Sequence, residues 1–383
     1  MHFIPSFIAA FIIYAAATPY LPILVRGLGY RPVVVGILLG VFEGAGIIGP
    51  FVFGYFTDKL GRYKSGLIIT FVLSVITIIP LVLWIHPLLS ALFLALFAVG
   101  FRSTVPLLDA VTTINLGASG NYGRIRTLGS ISFVMMVLFF QWTPVLRPNT
   151  PIHIALWISV TSALAIIPVF LLPDRYAETA KTSVHTGKIR RTQKTGLWSP
   201  LLVLGIGMIA MSRLAISPIY SFFPLYLTEY LNWDVVGLLF ALASASEIPC
   251  MFLSNRLIRR FGPLRLLMIA AVAIGVRMGI LAFFPYRFAI VASQMLHSLC
   301  FGLFHPAAVA FISGCVPPER RAMGMSLYLS IGTGLPAFFG NILGGYLVDH
   351  RGYHALFGTF ALFTLPAIGL YFFISHYRRV RTE

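Results

Sequence analysis

At 383 residues, 58% of them hydrophobic and 10% charged, with a mean hydropathy of +0.90, the chain is too apolar for a soluble domain of that length. Its net charge of +17 does not mark a nucleic-acid binder, because the basic residues recur in the short gaps between apolar runs and do not gather on one face. That distribution is what the positive-inside rule gives a polytopic membrane protein in a lipid bilayer. Cys250, Cys300 and Cys315 lie in apolar stretches without metal-ligand or disulfide spacing, so they read as packing residues.

In chain order the apolar runs fall near residues 3–24, 33–57, 66–85, 88–114, 127–146, 152–173, 200–228, 235–256, 265–285, 288–315, 322–348 and 354–376. Each approaches the ~20 residues that a helix needs to cross a bilayer core. The expected fold is therefore all-α, with twelve transmembrane helices in two six-helix bundles, 1–173 and 200–383. The first run has no basic n-region or small-residue cleavage site ahead of it, so it is expected to be retained as a span. Residues 174–199, rich in Lys, Arg, Thr and Gly, read as a flexible linker between the bundles.

Alternate gaps divide the charges unequally. Lys59, Arg62, Lys64, Arg124, Arg126, Arg256, Arg259, Arg260, Arg265, Arg320, Arg321, the linker and the tail arginines 378, 379 and 381 fall on one side, against Arg26, Arg31, Arg147, Arg287 and Arg351 on the other. The Lys/Arg-rich side is the cytoplasmic one. Both termini and the linker are thus expected in the cytoplasm, with the chain in a bacterial inner membrane.

Between the second and third runs stands Gly54-Tyr-Phe-Thr-Asp58-Lys59-Leu-Gly61-Arg62-Tyr-Lys64. Gly54 is expected to admit a neighbouring helix, Gly61 to take the φ > 0 conformation of a tight turn, and Asp58 to face the positive end of a helix dipole. Arg62 and Lys64 stay at the anionic leaflet. The two halves echo one another. Glu43 precedes Pro50 and this loop, Glu247 precedes Pro249 and the loop ending at Gly262, and Phe101–Pro106 parallels Phe301–Pro306; such internal repeats are usual in transporters.

A charge at the centre of a spanning helix costs roughly 2.5 to 3.5 kcal/mol on insertion scales, so each one needs a reason. The acids are Glu43, Asp109 and Glu247; the bases are Arg102, Arg213 and Arg277, with Arg126 at the mouth of the fifth run. Arg102 and Asp109, seven apart, share a helix face, and Arg126 can reach Asp109 across the helix pair. Arg213 has no acid in its own helix, which leaves it to pair with Glu247 or to meet an anionic group on a substrate. His297 and His305, eight apart, share another face.

The loop pattern G-x-x-x-D-x-x-G-R-x-[KR] resembles the signature of the major facilitator superfamily of secondary transporters. Tyr122-Gly-Arg124-Ile-Arg126-Thr-Leu-Gly129 resembles the G-R-x-R-x-x-G element of its lactose permease branch, which implies a substrate-binding role for Arg126, with Asp109 near the essential acid of that branch. Arg277 and His297 fall where the branch places an arginine and a histidine of proton coupling. Three residues beyond, Cys300 stands in place of the proton-carrying glutamate. Over nearly all twelve runs the chain looks closer still to the phenylpropionate permease branch. The resemblance implies two six-helix bundles rocking about a midplane site, with proton symport.

The expected function is proton-coupled import of a small polar or anionic organic solute. Arg126, Asp109, Arg102 and Arg213 are the candidates for the solute; Glu247, His297, Arg277 and Glu43 for the proton; Gly54, Asp58, Gly61, Arg62 and Lys64 for gating. Glu247, mid-span beside Pro249, is the preferred proton carrier, because a thiol at Cys300 with an unperturbed pKa of about 8.5 cannot readily cycle a proton near neutrality. A proton-coupled exporter is the alternative, although the fifth run lacks repeated glycines and a Gly-Pro pair. A non-transporting receptor is a further one. No HExxH, GxSxG or clustered metal-ligand spacing is present, so neither an enzyme nor a cofactor is expected. The sequence sets no oligomeric state.

Overall fold

The computed structural model describes residues 2–116, 122–143, 145–147, 150–172, 199–317 and 320–382. Among them every regular element is helical. Ten stretches, from Ile4–Gly27 to Arg287–Cys315, are single helical segments long and apolar enough to cross a membrane. The eleventh, Met323–Tyr377, runs for 55 residues, twice what a bilayer needs. Gly352 divides it: at φ 77 and ψ 179 its backbone lies in a region essentially reserved for glycine. The stretch therefore folds as two spans, which makes twelve.

The linker expected at 174–199 lies, apart from Ser199, outside the described residues. Ser199 itself caps the seventh span (Pro200–Tyr230), its hydroxyl accepting from the Leu202 N–H at 3.2 Å, a usual way to satisfy a donor of the first turn. Among the described residues, wide π turns end the seventh span at Tyr226–Tyr230 and interrupt two others, at Ser298–Leu303 and Ser330–Gly334. Such turns are frequent at functional sites. The one in the tenth span (Arg287–Cys315) joins His297 to Phe304, and Pro306, which has no N–H to give, sits in the first turn of the helix that follows;. Pro249, by contrast, is carried inside an unbroken eighth span, Val236–Phe261.

The described residues form two compact units: 1–30 with 41–194, and 31–40 with 195–383. In the first, span 1 packs on spans 5 and 6, and span 3 on spans 4 and 6. The second repeats the arrangement, with span 7 on spans 11 and 12 and span 9 on spans 10 and 12. The opening of the second span (Pro32–Leu60) belongs to this second unit. There a Cβ on Gly36 would stand 2.8 Å from the Gly345 Cα, and Arg31 donates to Asp349 at 2.6 Å.

The outer surface is apolar. Leu88, Phe252 and Phe288 are each at least three-quarters exposed, a costly surface in water and the expected one where the solvent is lipid, since helices satisfy their backbone groups internally.

Candidate functional site

Close helix approach puts the charges together. In the first unit a Cβ on Gly46 would meet the Arg102 Cγ at 2.8 Å, and one on Gly49 the Ser103 hydroxyl at 2.7 Å, so the second and fourth spans run almost backbone to backbone, the usual role of small residues in membrane helices. That proximity lets the Arg102 Nη2 donate to Glu43 Oε1, while its guanidinium lies 5.1 Å from the Phe42 ring centroid. Arg126 donates to Asp109 Oδ2 across the fourth and fifth spans, and Asp109 Oδ1 is buried without a partner. Although Arg102 and Asp109 share a helix, each takes its partner from another one. Beside them Tyr14, Phe101, Phe97 and Phe42 form a run of stacked rings, Tyr14 and Phe101 being 4.2 Å apart.

The second unit holds a longer chain of contacts. Arg277, 1% exposed, donates from Nη1 to His297 Nδ1 at 2.8 Å and from Nη2 to Gln294 Oε1 at 2.6 Å. His297 Nε2 stands 2.7 Å from Glu247 Oε1. A guanidinium can only donate, so Nδ1 must be an acceptor and the ring proton sits on Nε2, directed at the carboxylate. His297 is thereby neutral and relays the position of Arg277 to Glu247. Gly302 lets the eighth span reach this point, for its Cβ would meet the Glu247 Cα at 3.3 Å. The Cys300 thiol, fully buried, also lies against Arg277.

Arg213 is placed differently from the other three arginines. Of the two expectations for it, pairing with Glu247 is not met, because that carboxylate is taken up by His297. Its Nη1 is buried with no hydrogen-bond partner, and its guanidinium lies 5.4 Å from the Phe301 centroid and 5.6 Å from that of Phe304. Phe301 stands between the two histidines, near-parallel to His297 at 5.8 Å and to His305 at 6.4 Å. His305 then exchanges a hydrogen bond with the Tyr328 hydroxyl at 2.8 Å.

The charged hairpin departs from expectation at one position. A Cβ on Gly54 would meet nothing within 4 Å among the described residues. The close approach is made by Gly66, on the facing span, whose Cβ would run into the Thr57 methyl. Gly61 has φ 63, the turn conformation anticipated for it. Asp58 accepts from the Tyr63 hydroxyl within the hairpin. Lys64 donates to the Phe170 carbonyl at 3.2 Å, and Arg62 is exposed.

Sequence reasoning missed Gln294, Tyr220 and Tyr328. Gln294 lies three residues before His297, on the same helix face, and that spacing was its signal. Tyr220, whose ring meets His297 edge-on at 6.3 Å, and Tyr328 carry no pattern that distinguishes them from ordinary span aromatics.

The model of the MFS_1 like family matches residues 7–359. Among curated proteins, the maltose permease of Geobacillus stearothermophilus is 28% identical over 284 residues, 73% of this chain and 70% of the relative. The probable 3-phenylpropionic acid transporter of Escherichia coli (strain K12) is 25% identical over 375 residues, 94% of each chain. Among solved structures, a mutant of the nucleoside transporter NupG superposes with a TM-score of 0.82 at 17% identity, covering 98% of both chains. The inward-open xylose transporter XylE from E. coli gives 0.70 at 13% identity, over 97% of this chain and 94% of that one. At such identities the structural likeness establishes the shared fold.

Proposed function

The chain belongs to the MFS_1 like family, an integral, multi-pass membrane transporter family, and on that footing we propose that it imports a small polar or anionic organic solute together with protons. Relatives named for a disaccharide and for an aromatic acid bracket the solute class. The observation that carries the reading is the Arg277–His297–Glu247 chain, a buried arginine linked through a neutral histidine to the acid in the middle of the eighth span.

Glu247 is the proton carrier in this reading. Protonating it leaves the His297 N–H an oxygen to donate to, so the relay survives both states, whereas protonating His297 would turn an N–H against the guanidinium. In the first unit the Asp109–Arg126 and Glu43–Arg102 pairs hold two arginines beside stacked rings, available to exchange an internal carboxylate for solute oxygens. The Lys/Arg-rich ends face the cytoplasm, and the Gly54–Lys64 hairpin gates access from that side.

The test is solute-dependent proton uptake in proteoliposomes. Glu247→Gln fixes a neutral side chain, so it should abolish proton-driven accumulation while preserving solute binding and exchange. Uphill uptake retained in that variant and collapsed by a protonophore would move the carrier elsewhere. Uptake indifferent to a protonophore in the unmutated protein would reject coupling altogether.

A further inference from the structure

We infer that Arg213 anchors the carboxylate of a monoanionic solute with a flat, aromatic body, held against the Phe301 ring. The inference rests on the reading of the second unit's cluster as part of the solute site, and it narrows that site from polar solutes in general to aryl carboxylates.

Three observations carry it. First, the three other arginines of the candidate site are occupied: Arg102 by Glu43, Arg126 by Asp109, Arg277 by His297 and Gln294. Arg213 has a buried, unpartnered Nη1 and no acid within ion-pair distance among the described residues.

Second, the charges do not balance. Of the groups away from the span ends, two acids face two arginines in the first unit; in the second, Glu247 alone faces Arg213 and Arg277, since Glu229 ends the seventh span and accepts from Tyr353 and Asp349 stands near the Gly352 break and pairs with Arg31. One positive charge is left over, and it sits where a single carboxylate would neutralise it. Arg presents a planar fork of donors that matches a carboxylate with two parallel hydrogen bonds.

Third, the surroundings suit a ring better than a polyol. A sugar hydroxyl donates as well as accepts, so its recognition calls for acceptors near the arginine. The carboxylate in the middle of the eighth span, Glu247, is engaged by the His297 N–H. What flanks Arg213 is instead the partly open Phe301 ring at 5.4 Å, backed by the buried Phe304 at 5.6 Å and continued by His305. A flat body can stack or meet such rings edge-on.

The experiment is calorimetric titration of the full-length protein in nanodiscs with phenylacetate, its uncharged isostere phenylacetamide, cyclohexylacetate and maltose. Phenylacetate should bind at least tenfold more tightly than the amide, about 1.4 kcal/mol, and more tightly than cyclohexylacetate. Arg213→Gln should bind acid and amide alike; Arg213→Lys, which keeps the charge and loses the fork, should fall between. Phe301→Leu should erase the preference for phenyl over cyclohexyl and keep that for acid over amide. Size-exclusion profiles of both Arg213 variants establish folding, and either folded variant suffices. The inference is overturned if the unmutated protein treats acid and amide alike, if Arg213→Gln keeps the preference, or if nothing in the panel binds. Maltose-dependent proton uptake unaffected by Arg213→Gln would overturn it and leave the transport reading intact. Absence of proton uptake with any solute would instead remove the transport reading.

Discussion

His297 is the side chain whose chemistry is most tightly constrained. One nitrogen must accept from Arg277 and the other must donate to Glu247, which a neutral imidazole does in one tautomer only. A glutamine offers the same pair of functions, a carbonyl oxygen and an amide N–H, without titrating. His297→Gln should therefore retain solute-driven proton uptake within about tenfold, while His297→Leu, which leaves Arg277 and Glu247 without their link, should lose it. Loss in both variants, with both folded, would make His297 itself the carrier. That these charged side chains stand within the spans was readable from the sequence, since an intramembrane charge is conspicuous by type. Who pairs with whom was not. Arg102 and Asp109 share a helix face by spacing, yet Arg102 takes Glu43 and Asp109 takes Arg126, because the choice is made by which helices approach, a matter of glycines on other spans.

Helices in this chain are set by their apolar length, and their contacts by where side chains are missing. The twelve spans and the break between the last two follow from hydropathy and turn residues, which is why they were legible. Their packing was less so: Gly54 looked like the close contact of the hairpin, and the contact is at Gly66. A glycine's type says that a helix can approach, never that one does. The distinction is measurable. Gly36→Ala would push a methyl against the backbone of Asn341 and Gly345, which cannot step aside, and should destabilise the protein by roughly 1 to 3 kcal/mol. Gly54→Ala meets open space and should stay within about 0.5 kcal/mol of the unmutated protein, as read by thermal unfolding in detergent. Equal melting temperatures for the two variants would contradict the packing described for the second and eleventh spans.

Counted over the seven groups named above, Glu43, Asp109 and Glu247 against Arg102, Arg126, Arg213 and Arg277, the charges amount to one excess positive charge, located in the second unit. Protonating Glu247 raises that excess by one and so favours an anion at Arg213; by reciprocity, the anion favours the proton. Solute affinity should therefore rise as pH falls, by up to about tenfold per pH unit for one linked proton, and Glu247→Gln should bind solute with the low-pH affinity at every pH. A flat profile in the unmutated protein would dissociate the two sites.

The buried thiol at Cys300 has a practical consequence. It is sealed against Arg277, whereas Cys250 and Cys315 are only partly covered. With those two replaced by serine, a small maleimide has one target, and it can reach that target only when the seam between the ninth and tenth spans parts. The alkylation rate then counts openings of the seam, in the manner of hydrogen exchange at a protected amide. The chain thus carries its own stopwatch, and any solute that alters its pace has been detected by a native atom of the protein, with no probe attached and no need to observe transport.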